Sequence, residues 1–404
     1  MSAMSRVRTG FESFLDPAGD AAGLTRGARL GVVAHPASID AGGRHLIDRL
    51  LRDGRFRVTR LFAPEHGVRG EAQDMETVTE PSDPATGLPV VSLYGEAEHS
   101  LSPKPEHLQG LDAIVYDLQD VGSRYYTFVY TLSYVMEAAG EAGIPVIVLD
   151  RPNPIGGVAV EGPVLQRGWE SFVGRFALPV RHGMTTGELA VLFRDRFAIR
   201  CDLRVVRLAG WTRAMHHDDT GLPWVLPSPN MPTPETALVY PGGCLVEGTN
   251  LSEGRGTTRP FELVGAPFLE GARFAEALAQ AGDAEGLDGV FFREAWFRPT
   301  FQKHAGTRCS GVQVHVTDRA NARPFATYLV LIREARRLAP DGFDWRRERY
   351  EFVEDRLAID LLLGRPDLRP MIEAGAPLAD MEALWSEELA DFLRERRHVL
   401  IYPE

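Results

Sequence analysis

Two apolar, β-branched runs constrain this chain most: LDAIVYDL at 111–118 and IPVIVLD at 144–150. Each reads as a strand, and the stretch between them, 127–142, reads as a helix. The same rhythm begins earlier. LGVVA (30–34) is a short buried strand, 44–52 is an amphipathic helix with Leu46, Ile47, Leu50 and Leu51 on one side, and 58–63 is a second strand. This alternation predicts an α/β protein: a Rossmann-like parallel sheet covered by helices on both faces. From about Pro260 the pattern changes. A helix is expected near 273–280, strands near 290–297 and 311–316, and helices near 324–338, 355–363 and 379–397. The expected organisation is a Rossmann-like domain at 1–257 and a smaller C-terminal α/β domain at 258–404. Between strand-rich and helix-rich parts, 222–256 is dense in Pro, Gly, Asn and Thr and reads as a long functional loop system on one rim of the sheet.

Composition removes several function classes. The 404 residues carry 44 Lys+Arg against 56 Asp+Glu, a formal net charge of −12. Nucleic-acid binding needs a basic face, and so does polybasic attachment to a membrane surface. Only Lys104 and Lys303 are lysine, so Schiff-base and Walker-lysine chemistry have almost no candidates. The cysteines, Cys201, Cys244 and Cys309, are far apart and form no CxxC, which argues against a disulfide framework or a zinc–thiolate site. The first twenty residues hold no apolar core of a signal peptide, and no apolar run approaches 18 residues. A cytoplasmic protein without a membrane span is the expectation.

In doubly wound sheets, ligands bind beyond the carboxyl ends of the strands. Every polar cluster of note follows a strand: His35-Pro36, Pro64-Glu65-His66-Gly67, Gln119-Asp120 and Arg151-Pro152-Asn153-Pro154. That placement predicts one shared site. The first strand runs into AHPASIDAGG, which is not GxGxxG, and no GxxxxGK[ST], HExxH or GxSxG occurs. His216-His217-Asp218-Asp219 is read as a solvated loop. No cofactor and no metal is therefore expected.

What remains is carboxylates in loops. Glu65, in APEHGVRG, stands between a proline that restricts the backbone and a glycine that permits a turn. It suits a general acid, base or nucleophile, and equally a helix cap or a partner for Arg69. CLVEGTNLSEGRGTTRP packs Glu247, Glu253, Asn250 and Arg255 into a short span suited to a polyhydroxy ligand. YDLQDVGSRYY sets Asp117, Gln119, Asp120 and Arg124 beside Tyr125 and Tyr126, rings and polar groups of the kind a sugar needs. Arg151 and Asn153 follow the next strand. His182 precedes a helix whose Thr185 or Thr186 with Glu188 forms a capping box. Two carboxylates flanking a scissile bond allow a sugar hydrolase, but do not select it over a sugar-binding module.

Longer strings narrow the choice. LFAPEHGVRG, VYDLQDVGSRYYTFVYTL, LDRPNPIGG, VEGP, RHGMTTGELA, LPSPNMPTPETALVYPG and EGTNLSEGRGTTRPFELVGAPF, in this order, resemble one bacterial family along nearly the whole chain. It is the family of NamZ-like exo-β-N-acetylmuramidases, formerly a domain of unknown function. The resemblance implies metal-independent release of N-acetylmuramic acid (MurNAc) from non-reducing ends of peptidoglycan-derived muropeptides or MurNAc-GlcNAc. It implies a catalytic glutamate at Glu65 and a second acid at Glu253, with Glu247 next. His66, Arg69, Asp117, Asp120, Arg124, Tyr125, Arg151, Asn153, His182, Asn230, Asn250 and Arg255 lie in matching motifs and are the expected substrate-binding residues. The lactyl carboxylate of MurNAc calls for an arginine, with Arg69, Arg124, Arg151 and Arg255 as candidates. A non-catalytic muropeptide binder and an unrelated metal-dependent hydrolase are the competing readings.

Overall fold

The structure, a computed structural model, describes residues 6–70, 81–95 and 98–403. A short helix α1 (Gly10–Phe14) precedes β1 (Arg29–Ala34), α2 (Leu46–Asp53), β2 (Arg57–Ala63) and β3 (Val90–Ser92). Then come α3 (Pro105–Leu108), β4 (Ala113–Asp117), α4 (Phe128–Ala142), β5 (Val146–Leu149), α5 (Thr186–Arg196) and β6 (Leu203–Val206). All six strands are parallel, in the order β3-β2-β1-β4-β5-β6. That is the doubly wound order of dinucleotide-binding folds.

The apolar runs form strands because both faces of the sheet are covered. Along β4, Ile114 and Tyr116 point into one core while Ala113 and Val115 point into the other. Along β5, Val146 and Val148 alternate with Ile147 and Leu149 in the same way. A strand buried on both faces needs apolar residues at every position rather than at every second one. Phe11 and Phe14 of α1 and Leu46, Ile47 and Leu50 of α2 cover one face; α4 and α5 cover the other.

The rim segment differs from the expected loop. It contains α6 (Pro234–Gly243) and a 3₁₀ turn at Cys244–Gly248, both buried. Pro234 opens the helix at a position where its missing N–H costs nothing. Gly242 is there for close approach: a Cβ on it would collide with the Pro324 carbonyl. Proline and glycine here serve helix entry and helix packing, which composition alone reads as loop.

The remaining part has a second, three-stranded sheet, β7 (Leu263–Ala266), β8 (Val290–Phe297) and β9 (Cys309–Val316), antiparallel in the order β7-β9-β8. Helix α7 (Gly271–Glu285) packs on this sheet, α8 (Pro324–Leu338) packs on α7, and four shorter helices follow. The helix expected at 379–397 is broken into Leu378–Ala383 and Ser386–Arg396. Helix α8 packs on α6, and one core cluster runs from Tyr125 and Tyr240 through Phe261 to Tyr328. No helix among the described residues is long and apolar enough to cross a membrane.

Asp150, just past β5, is fully buried. It accepts hydrogen bonds from Gly187 N (2.8 Å), Thr185 Oγ1 (2.8 Å) and the Tyr402 hydroxyl (2.6 Å). Burial drives its carboxyl up to about 7, against the pull of those donors. The folded state therefore binds a proton that the unfolded chain releases at about 3.9. Stability should fall as pH rises from about 4 to about 7 and level off above. In Asp150→Asn, whose amide can mimic the protonated acid, melting curves across that window should lose this slope. A variant with the wild-type slope would show that another group sets it.

Candidate active site

A turn at Pro64–Gly67 follows β2, with Gly67 N donating to the Pro64 carbonyl at 3.0 Å. His66 and Gly67 both take positive φ, +72° and +81°. Glycine adopts this at no cost, but His66 is held there against its preference. The turn presents Glu65, which is only 8% exposed, to a cavity at the carboxyl end of the sheet. Its Oε2 accepts from Thr127 Oγ1 at 2.6 Å. Thr127 is the cap of α4, so the carboxylate lies at the positive end of a fifteen-residue helix. Its other oxygen has no protein partner among the described residues.

The opposite wall comes from the segment after α6. Glu247 Oε1 accepts from Arg255 at 2.7 Å and its Oε2 from the Tyr350 hydroxyl at 2.9 Å. Burial first, and then the Glu247 charge, push the Tyr350 hydroxyl well above its ordinary value, which keeps it a donor. Glu253, 2% exposed, lies between Lys303 Nζ (3.0 Å) and Arg255 Nε (3.5 Å). Lys303 also donates to the carbonyls of Val246 (2.9 Å) and Leu251 (3.1 Å), which clamps the loop that carries both acids. Strand β7 holds the same loop from behind, through Ser252 N to the Gly265 carbonyl at 2.8 Å.

Aromatic rings complete the walls. Tyr126 meets Phe128 edge-on at 4.9 Å, and Tyr240 meets Phe261 edge-on at 4.8 Å. The cavity leaves about 720 Å³ free of protein atoms, its open mouth included. Rings for the apolar face of a sugar, amides and hydroxyls for its oxygens, and four carboxylates, those of Glu65, Glu247, Glu253 and Glu351, thus share one space.

Of the expected site residues, Glu65, His66, Tyr125, Asn230, Glu247, Glu253 and Arg255 line this cavity. Eight do not, and each is engaged elsewhere. Arg69 pairs with Asp83 through two bonds of 2.8 Å. Arg124 is fully buried and donates to the carbonyls of Pro163, Leu178 and Leu362. Arg151 pairs with Asp117 (2.5 Å) beside a second, smaller cavity. Asp120 accepts from Gly122 N and faces His182 at 3.3 Å, both of them buried. Asn153 donates to the Met184 carbonyl and accepts from Ile155 N. These side chains shape their loops through internal bonds. Asn250 lines an adjoining open groove. Within that framework His35 accepts from Gln119 N at 2.7 Å and bridges the ends of β1 and β4, where the strand order reverses. The cavity opens beside this crevice, over the end of β2.

Sequence reasoning missed Thr127, Tyr240, Gln302, Arg346 and Tyr350 on the cavity wall, and Lys303 behind it. Among the described residues no three His, Cys, Asp or Glu side chains gather as metal ligands.

A doubly wound sheet that sets Glu65 past the end of β2, facing Glu247 and Glu253 from the segment after α6 across one aromatic-walled cavity, defines an α/β protein equipped with the acid groups that glycoside hydrolysis uses. Two family models match, described as the N-terminal and C-terminal parts of the exo-beta-N-acetylmuramidase NamZ, at residues 30–235 and 238–402. The chain belongs to the NamZ family. It is 45% identical over 397 residues to the peptidoglycan beta-N-acetylmuramidase NamZ of Bacillus subtilis strain 168, covering 98% of this chain and 92% of that protein. Two crystal structures of DUF1343 family proteins from Bacteroides fragilis NCTC 9343 share the fold. One superposes with a TM-score of 0.87 at 33% identity, covering 98% of this chain and 99% of that one. The other gives 0.76 at 27% identity, covering 99% and 100%. The two family models meet between 235 and 238, within α6.

Proposed function

We propose that this protein is an exo-β-N-acetylmuramidase that hydrolyses the glycosidic bond of a non-reducing terminal MurNAc in peptidoglycan fragments. The observation that carries the reading is the convergence of Glu65, Glu247 and Glu253 on one cavity, in a chain so similar to a peptidoglycan β-N-acetylmuramidase. Glu65 is the general acid. Thr127 fixes one of its oxygens, and the other is left to protonate the departing glycosidic oxygen. Glu253, with Glu247 next in line, is the second acid and faces the positive charge that develops at the anomeric carbon. The chemistry asks for no metal, and its products suit the recovery of cell-wall fragments in the cytoplasm.

The test is product analysis on MurNAc-β-1,4-GlcNAc, with and without EDTA. Free MurNAc from the wild type, unchanged by EDTA, is the expected result. Loss of release on chelation would turn the assignment to a metal-dependent hydrolase. Tight binding without release would make the protein a muropeptide binder.

A further inference from the structure

MurNAc differs from N-acetylglucosamine by one group, a lactyl ether on O3 that ends in a carboxylate. A site that selects the first sugar needs a cation placed for that carboxylate. Two guanidinium groups line the cavity, Arg255 and Arg346. They differ in what they already hold. Arg255 is bonded to Glu247, stands 3.5 Å from Glu253, and lies over the Phe261 ring at 5.1 Å. Its charge is matched by two buried carboxylates, and its task is to hold them.

Arg346 has no such match. Its backbone is pinned where Trp345 pairs with Thr249, and Arg346 N donates to the Gly248 carbonyl at 2.9 Å. Its guanidinium lies over the Tyr350 ring, 5.2 Å from the centroid, and Tyr350 is itself fixed by its bond to Glu247. Among the described residues its side chain meets only the Arg349 carbonyl at 3.3 Å and the largely exposed Glu348 at 3.9 Å. An exposed pair at that distance neutralises little. Arg346 is thus a half-buried, oriented cation with donors to spare. It also stands at a seam: with Gln302 it lines both the closed cavity and the open groove formed by Asn250, His304 and Trp345.

We infer that Arg346 binds the lactyl carboxylate and sets the preference for MurNAc over N-acetylglucosamine. The inference rests on the muramidase reading above. The sugar ring lies in the cavity, its O3 arm reaches the seam, and whatever is attached to the carboxyl extends into the groove. A peptide stem turns that carboxylate into a neutral amide, so the free acid is the better substrate. The contact is remote from the reacting bond, so its loss weakens ground state and transition state alike and appears mainly in KM.

The experiment compares wild type, Arg346→Lys and Arg346→Gln on p-nitrophenyl β-MurNAc and on the same glycoside with its lactyl group amidated. Arg346→Gln should raise KM for the free acid about a hundredfold with kcat within about fivefold, and should leave the amide unaffected. Arg346→Lys should recover part of the loss on the free acid only. Equal impairment on both substrates, or none on either, would overturn the inference. If even the wild type hydrolyses neither glycoside, the muramidase reading fails by itself. Calorimetric binding of free MurNAc and N-acetylglucosamine then decides for Arg346: discrimination present in wild type and lost in Arg346→Gln supports it, and any other pattern sinks it.

Discussion

Glu65→Gln is expected to lower turnover of MurNAc-β-1,4-GlcNAc about a thousandfold while the fold stands. A positioned general acid supplies roughly 10²–10⁴ in rate. The amide cannot protonate the departing oxygen, yet its carbonyl still accepts the Thr127 hydroxyl, so the turn at 64–67 and the start of α4 keep their shape. The melting temperature should stay within about 2 °C, since an exchange that keeps its hydrogen bond costs a few tenths of a kcal/mol. The loss should also depend on the leaving group. p-Nitrophenolate departs without a proton, so the variant should be far less impaired on an aryl glycoside than on the disaccharide. Equal impairment on both would give Glu65 a different role, as base or nucleophile. Near-full activity on the disaccharide would falsify the assignment of the cavity as the reaction site.

Glu253→Gln should cost about a hundredfold in kcat, the scale of removing one preorganised charge from a transition state. This prediction carries a second consequence, because Glu253 answers Lys303 and Arg255 at once. An amide there can still accept from Lys303 but no longer answers its charge, which leaves the ammonium among neutral acceptors, the carbonyls of Val246, Glu247 and Leu251 included, and should loosen the acid-bearing loop. Lys303→Met separates the two effects. It leaves the carboxylate in place and removes the clamp, so it should lower stability more than kcat. Retention of most activity in Glu253→Gln, with collapse in Glu247→Gln, would transfer the role of second acid to Glu247.

Much of the scaffold is legible from the sequence because both cores write on the same strands. Ile114 and Tyr116 serve one face, Ala113 and Val115 the other, and the result is an unbroken apolar run. The three glutamates are legible because each lies beside glycines or prolines in a turn that needs them. Polar neighbours mislead for a related reason. Arg124, Arg151 and Asp117 have the residue types of a ligand site and the same strand-end position, yet they satisfy one another or loop carbonyls. Chain position does not tell a side chain that holds a loop from one that faces a cavity. The inward turn of Arg346 is hidden in WRRERYEF, where four charged residues follow Trp345 and no periodicity distinguishes one. What distinguishes it is the pairing of Trp345 with Thr249 and the ring of Tyr350, both tertiary facts.

The bond from Tyr402 to Asp150 spans 252 residues of chain. Glu188, also buried, waits on the same segment: Ile401 N donates to it at 2.9 Å, and Arg213 pairs with it. On a ribosome adding roughly 5–20 residues per second, β5 emerges about 10–50 s before Tyr402 exists. Through that interval the parallel sheet holds a buried acid without one of its donors. The nascent first half is thus a candidate client for chaperones, and a chain cut short before Tyr402 would leave buried Asp150 without that donor.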